Sequence, residues 1–452
     1  MMVHAFPGYV LRKKEHDEHT QKPISPPRDF ISRRQRRLLA FAFVLLSCFL
    51  AARIAGAQAT VETTSSTQFL FGPDALDGDQ NILSQYMRLS VTPVGKEVSV
   101  TGYGRIWKDF GAPAVRSDDG LGRLYYLYAD YAPSAVLSFR AGRQWVNYTA
   151  GTSILDGLTA NVDLSRISRL PIAVTLSGGR NVVYSLDSEY SQSGNLFFGM
   201  DIHLVNVRLT QLGLSYVQTF DEYDRARQEF GLNFRRVIGM ASPYGEVRYD
   251  RLDNVIDEAT LGVDVFPTVD LMVKGEYYFV YPKFDATDIY SVFAVDKYQE
   301  YRLRAEYNLE SRLKIPVSVF GSYSWQDYSE DDTANVFTIG SKIRPEDNIS
   351  LTADVSDQEG FAGHLVGFDV SCDYQPVKKL MLSGGAQFDT YEKPVFITTI
   401  PDVQSDDSAT RLWIGADYSL KKNLSCAARM EEDSNPDFSH QTLGRLILNW
   451  QM

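Results

Sequence analysis

From about residue 61 to its end, nearly every segment of the chain alternates apolar and polar residues with a period of two. A period of two places successive side chains on opposite faces of an extended strand. In 301–309, Tyr301, Leu303, Ala305, Tyr307 and Leu309 oppose Arg302, Arg304, Glu306 and Asn308. In 366–374, Val366, Phe368, Val370, Cys372 and Tyr374 oppose Gly367, Asp369, Ser371 and Asp373. In 411–420, Leu412, Ile414, Ala416, Tyr418 and Leu420 oppose Arg411, Trp413, Gly415, Asp417 and Ser419. Segments of this kind recur from 61–71 through 171–178, 257–266 and 364–374 to 442–451.

A soluble β-sandwich alternates as well. Three further features point to a membrane. The apolar faces carry tyrosine and other aromatics toward their ends, as interfacial girdles require. The segments run to about 10 residues, the length of a tilted membrane-crossing strand. Short turns such as 92–96, 266–268, 344–347, 375–378 and 420–423 alternate with longer acidic stretches at 109–121, 145–156, 179–195, 281–297, 326–333 and 390–408. The expected fold is all-β: a closed antiparallel transmembrane β-barrel of about 22 strands, an even number within roughly 18–26.

The start of the chain has a different character. Arg33, Arg34, Arg36 and Arg37 precede an apolar run over 38–52, and Ala55-Gly56-Ala57 and Ala57-Gln58-Ala59 follow. This three-part pattern predicts a leader with a cleavable signal peptide over 1–59, and a single barrel domain over 60–452. Residues 1–59 hold 10 Lys+Arg and 4 Asp+Glu, so removing them takes the formal charge from −12 to −18. An acidic exported chain is ill suited to nucleic acid. The 3 Cys exclude a disulfide scaffold, and 12% aromatics with 44% hydrophobic residues exclude disorder.

Chemistry-bearing clusters are scarce. There is no Cys-x-x-Cys-His, so no covalent haem site is expected. His203, His364 and His440 stand far apart without ligand spacing, and no phosphate-binding Gly loop is present. The expectation is a protein without cofactor, metal or enzymatic activity. The polar faces instead supply candidate lumen-lining residues: Arg140, Glu246, Arg248, Lys274, Glu276, Arg302, Arg304, Glu306, Asp369 and Arg411. A wet channel needs such an interior, and its charges tune ion selectivity.

The last strand ends with Leu446, Leu448, Trp450 and Met452 on one face. It resembles the C-terminal assembly signal of Gram-negative outer-membrane barrels, with Met452 where an aromatic residue is usual. That resemblance implies the barrel-assembly machinery and outer-membrane lipid as partners, and the cell outer membrane as location. Arg140-Ala141-Gly142-Arg143-Gln144 followed by Leu155-Asp156-Gly157-Leu158 resembles a strand–loop–strand element of porin-like barrels. There the arginines line the pore and the Asp-Gly forms a tight return. The expected function is a porin-like channel for small hydrophilic solutes or ions.

Natural 22-stranded barrels carry a plug, whereas barrels of about 16–18 strands leave an aqueous channel. Either the strand count is lower and the chain is an ordinary porin, or a wide lumen here calls for an occupant, an infolded loop or a partner protein. The layout is similar to the barrel subunits of porin–cytochrome conduits. That likeness implies an alternative role: a scaffold sheathing a multihaem c-type cytochrome for electron passage across the membrane.

Overall fold

The computed structural model describes residues 59–452, apart from 74–77, 94–96, 112–120, 169, 185–188, 191–194, 206, 282–296, 330–331, 361–362, 395–403 and 437. The leader and its cleavage sites lie outside the described residues. The strands are β1 (Ala59–Pro73), β2 (Asp79–Pro93), β3 (Val98–Asp109), β4 (Leu121–Tyr131), β5 (Leu137–Tyr148), β6 (Gly151–Asp163) and β7 (Ile172–Asn181). A small hairpin follows, β8 (Val183–Tyr184) and β9 (Glu189–Tyr190). Then come β10 (Leu196–Leu204), β11 (Thr210–Asp221), β12 (Asp224–Arg236), β13 (Ala241–Asp250), β14 (Val255–Val265), β15 (Leu271–Val280), β16 (Tyr298–Asn308) and β17 (Val317–Asp327). The set ends with β18 (Thr333–Glu346), β19 (Ile349–Gly360), β20 (Gly363–Val377), β21 (Leu380–Pro394), β22 (Gln404–Lys421), β23 (Leu424–Asn435) and β24 (Phe438–Gln451).

Leaving aside β8–β9, the strands form one 22-stranded sheet in which each pairs antiparallel with its sequence neighbours, β7 passing directly to β10. Pairing of β1 with β24, Thr64 opposite Gln451 through Phe71 opposite Gly444, closes the sheet. Closure leaves no unpaired edge in lipid. Met452 extends the seam by exchanging backbone hydrogen bonds with Thr63 at 2.8 and 2.9 Å. Both ends of the described chain therefore sit at one rim, with the turns such as 347–348, 378–379 and 422–423. We call this the turn rim and the opposite one the loop rim.

Register divides every strand into two faces. The outer face exposes Leu214, Phe230, Leu303, Phe337, Ile339, Leu412 and Leu446, and Ile414 is 68% exposed. An apolar surface running around 22 strands has lipid as its solvent. Aromatics band it at both heights. Near the loop rim, Tyr277, Tyr301 and Trp325 form a chain with ring centroids 4.9 and 5.6 Å apart. Near the turn rim lie Tyr131, Tyr307, Tyr374, Tyr418 and Trp450 on the ends of their strands. Cys372 on β20 and Cys426 on β23 are free thiols among the outer-face residues.

The connection expected as a loop over 145–156 is instead strand. β5 runs on to Tyr148 and β6 starts at Gly151, leaving Thr149 and Ala150 as the turn. The return is therefore at 149–150, and Asp156-Gly157 lies inside β6. The 390–408 stretch is likewise shortened, because β21 reaches Pro394 and β22 begins at Gln404.

Candidate functional site

The β5–β6 hairpin does not stay in the barrel wall. Pairing of β5 with β4 stops at Arg143, opposite Leu127, whereas β5 and β6 remain paired out to Tyr148 opposite Gly151. Pairing of β6 with β7 starts only at Leu155. The bend falls on a row of glycines, Gly142 opposite Gly157 opposite Gly179. Gly142 has φ +122°, and a Cβ there would sit 2.3 Å from the Leu127 carbonyl oxygen. Only glycine lets the strand turn away at that point.

Beyond the bend, the tip crosses the inner faces of β10, β11 and β12. Val146, Ala150 and Leu155 pack with Phe197 of β10 and Val217 of β11, forming the buried apolar cluster of the described residues. Hydrogen bonds fasten the turn to the wall. The Ala150 N–H donates to Ser215 Oγ at 2.8 Å, and Asn233 Nδ2 donates to Thr149 Oγ1 at 2.6 Å. Tyr148 and Ser177 hydroxyls lie 2.7 Å apart. Gly231 makes room for the turn: a Cβ there would stand 2.3 Å from Ala150 N and 2.5 Å from Ser215 Oγ. A polar cleft of about 600 Å³ lies between hairpin and wall, lined by Arg140, Gln144, Thr159, Ser177, Asp201, Asn233 and Glu246 among others.

The ten residues read from the sequence as lumen-lining share the inner face, on β5, β13, β15, β16, β20 and β22. Most are joined in ion pairs. Arg248 meets Asp257 at 2.6 Å, Glu258 at 2.8 Å and Glu229 at 3.6 Å. Lys274 and Glu276 are 2.8 Å apart, and Arg302 reaches Glu300 at 2.8 Å and Glu276 at 3.4 Å. Arg304 meets Glu306 at 3.4 Å, Arg411 meets Asp433 at 2.8 Å, and Arg140 meets Asp130 at 2.7 Å. Asp369 stands opposite Asp354, a second carboxylate. Glu246 borders the cleft beneath the hairpin.

A further inward-facing sector lies on β2–β4. On β2, Tyr86 and Arg88 face inward; on β3, Tyr103, Arg105 and Trp107; on β4, Arg123, Tyr126 and Tyr128. Their alternation is visible in the sequence, but tyrosine suits an interfacial girdle and a lumen wall alike. Register puts these four tyrosines on the inner face with the arginines. Among the described residues, the histidines lie apart from one another: His203 meets Asp201 at 2.7 Å, His364 meets Asp357 at 2.9 Å and His440 meets Glu432 at 3.0 Å. No group of three or more metal-ligating side chains occurs among the described residues.

No family model and no curated protein matches the chain. Solved structures do. A variant of the ferric enterobactin receptor PfeA from Pseudomonas aeruginosa aligns at TM-score 0.54 and 10% identity, over 88% of this chain and 81% of that one. The translocation pore of the P pilus usher PapC aligns at TM-score 0.50 and 9% identity, over 86% and 99%. A BenF-like porin from Pseudomonas fluorescens aligns at 0.45 and 10% identity, over 87% and 98%. At such identities the likeness concerns the fold alone: a large, closed antiparallel β-barrel.

Proposed function

We propose that the protein is a channel in the outer membrane that passes small hydrophilic solutes or ions through a lumen narrowed by its own β5–β6 hairpin. The observation that carries this reading is the infolded hairpin on a polar inner wall. A barrel this wide leaks unless something occupies it, and the hairpin fills part of the lumen without closing off the charged surface around it. No enzymatic role is needed to account for a charged inner wall. The β24 face of Leu446, Leu448, Trp450 and Met452 is the surface offered to the assembly machinery.

The test is conductance of the purified protein in a planar lipid bilayer. Discrete, ohmic steps are expected. A barrel that folds and inserts without conducting overturns the reading.

The lumen's width supports a second reading, in which a multihaem cytochrome fills the space the hairpin leaves. A visible absorption spectrum of protein purified gently from its native envelope separates the two. Stoichiometric, co-eluting haem supports the sheath, and a colourless barrel removes it.

A further inference from the structure

The inner wall is uneven in how it treats its cations. On β12–β16 and β22–β23, arginines meet carboxylates, as at Arg248, Arg302, Arg411 and Arg429. On β2 and β3 they do not. No carboxylate of the described residues lies within ion-pair distance of Arg88 or Arg105. Inward positions from Ser84 to Thr92 and from Ser99 to Trp107 include no acidic residue.

Aromatic rings take the carboxylates' place. Arg105 lies 5.2 Å from the Tyr86 ring centre and 4.5 Å from that of Trp107. It donates to Ser84 Oγ at 3.0 Å, while its buried Nε has no hydrogen-bond partner. Register makes the sector a checkerboard: Tyr86 is opposite Arg105, Arg88 opposite Tyr103, and Tyr103 opposite Tyr126. Tyr86 and Tyr103 stack at 6.4 Å, and Tyr126 and Tyr128 lie 5.6 Å apart. Successive rungs are two residues apart, about 6.8 Å along a strand.

We propose that this β2–β4 sector is an anion-binding strip for small carboxylates that carry a flat ring. Arg88 and Arg105 take the carboxylate, and Tyr86, Tyr103 and Tyr126 meet the ring. Guanidinium groups bind carboxylates through paired, charge-assisted hydrogen bonds. Ring faces and edges of tyrosine meet another ring in offset or edge-on geometry. Cations already committed to carboxylates, as on β16, have no such capacity to spare. The proposal deepens the channel reading by naming the solute class its wall favours.

Two measurements keep the proposals apart. Trp107 sits in the strip and is one of five tryptophans in the chain, so the part of the fluorescence change that Trp107→Phe abolishes in the full, detergent-folded protein reports occupancy without any need for conduction. Phenylacetate is expected to change that signal and to bind at least tenfold more tightly than acetate. Phenylacetamide, with the ring but no charge, is expected to leave it unchanged. The pair Arg88→Gln with Arg105→Gln is expected to weaken phenylacetate at least tenfold, and Tyr103→Leu to bring it down to the level of acetate. Folding of each variant is read from its heat-dependent mobility on a gel. If the glutamine pair folds and binds phenylacetate as the parent does, or if the amide binds as well as the acid, the strip is overturned. The second measurement is phenylacetate block of bilayer current. Current without block overturns the strip alone, whereas Trp107 titration without any current overturns the channel reading alone.

Discussion

Single residues decide where the hairpin sits. Asn233 holds the turn through one hydrogen bond to Thr149. Removing such a bond costs about 1 kcal/mol, roughly a fivefold shift toward a released hairpin. Asn233→Ala is therefore expected to raise open-channel noise and mean conductance modestly. Gly231→Val acts more strongly, because its new Cβ meets backbone, the Ala150 nitrogen, which has no rotamer to move. We expect a stable barrel with a uniformly larger single-channel conductance. Unchanged conductance in a folded Gly231→Val barrel contradicts the docked hairpin. On the outer face the logic reverses. Leu303 is 55% exposed and lies mid-strand. Leu303→Arg is expected to cost about 2–4 kcal/mol in refolding from urea into lipid vesicles.

Elements were legible in the sequence wherever one face meets lipid. A one-residue slip turns every outward leucine inward, so the apolar pattern fixes register along each strand. That is why segments such as 301–308 and 366–374 lie in strands with the expected faces. The hairpin was not legible. Its residues keep the alternation of a wall strand, but their partners are Phe197, Ser215, Val217 and Asn233, distant in sequence. The bend depends on Gly142 lacking a Cβ next to β4, a contact no local pattern reports. The arginine–tyrosine strip escaped for a related reason. Whether an inward arginine meets a carboxylate is set by cross-strand register, and tyrosine serves girdle and lumen alike. At this scale Leu155→Ala is the informative change. It removes a fully buried side chain from the cluster under the hairpin, at a cost of about 2–5 kcal/mol. The expected result is an intact barrel whose 144–154 segment becomes open to protease.

At the scale of the whole molecule, the lumen separates charge around its circumference. Arg88 and Arg105 stand among aromatics on β2 and β3. Asp354 and Asp369 stand opposite each other on β19 and β20. Between them on one side run the ion pairs of β12–β16, where Arg248 alone meets three carboxylates. Each sector then adds its own contribution to ion preference. Neutralising one sector at a time reads each contribution. Asp354→Asn with Asp369→Asn is expected to move the reversal potential in a KCl gradient toward chloride. Arg88→Gln with Arg105→Gln is expected to move it toward potassium. The sectors lie on separate strands with no shared partner, so the two shifts should add in the fourfold variant. Both should shrink as salt rises from about 0.1 to 1 M, where the screening length falls from roughly 10 to 3 Å. A reversal potential that ignores both pairs at low salt would place the selectivity elsewhere, at the hairpin's own constriction.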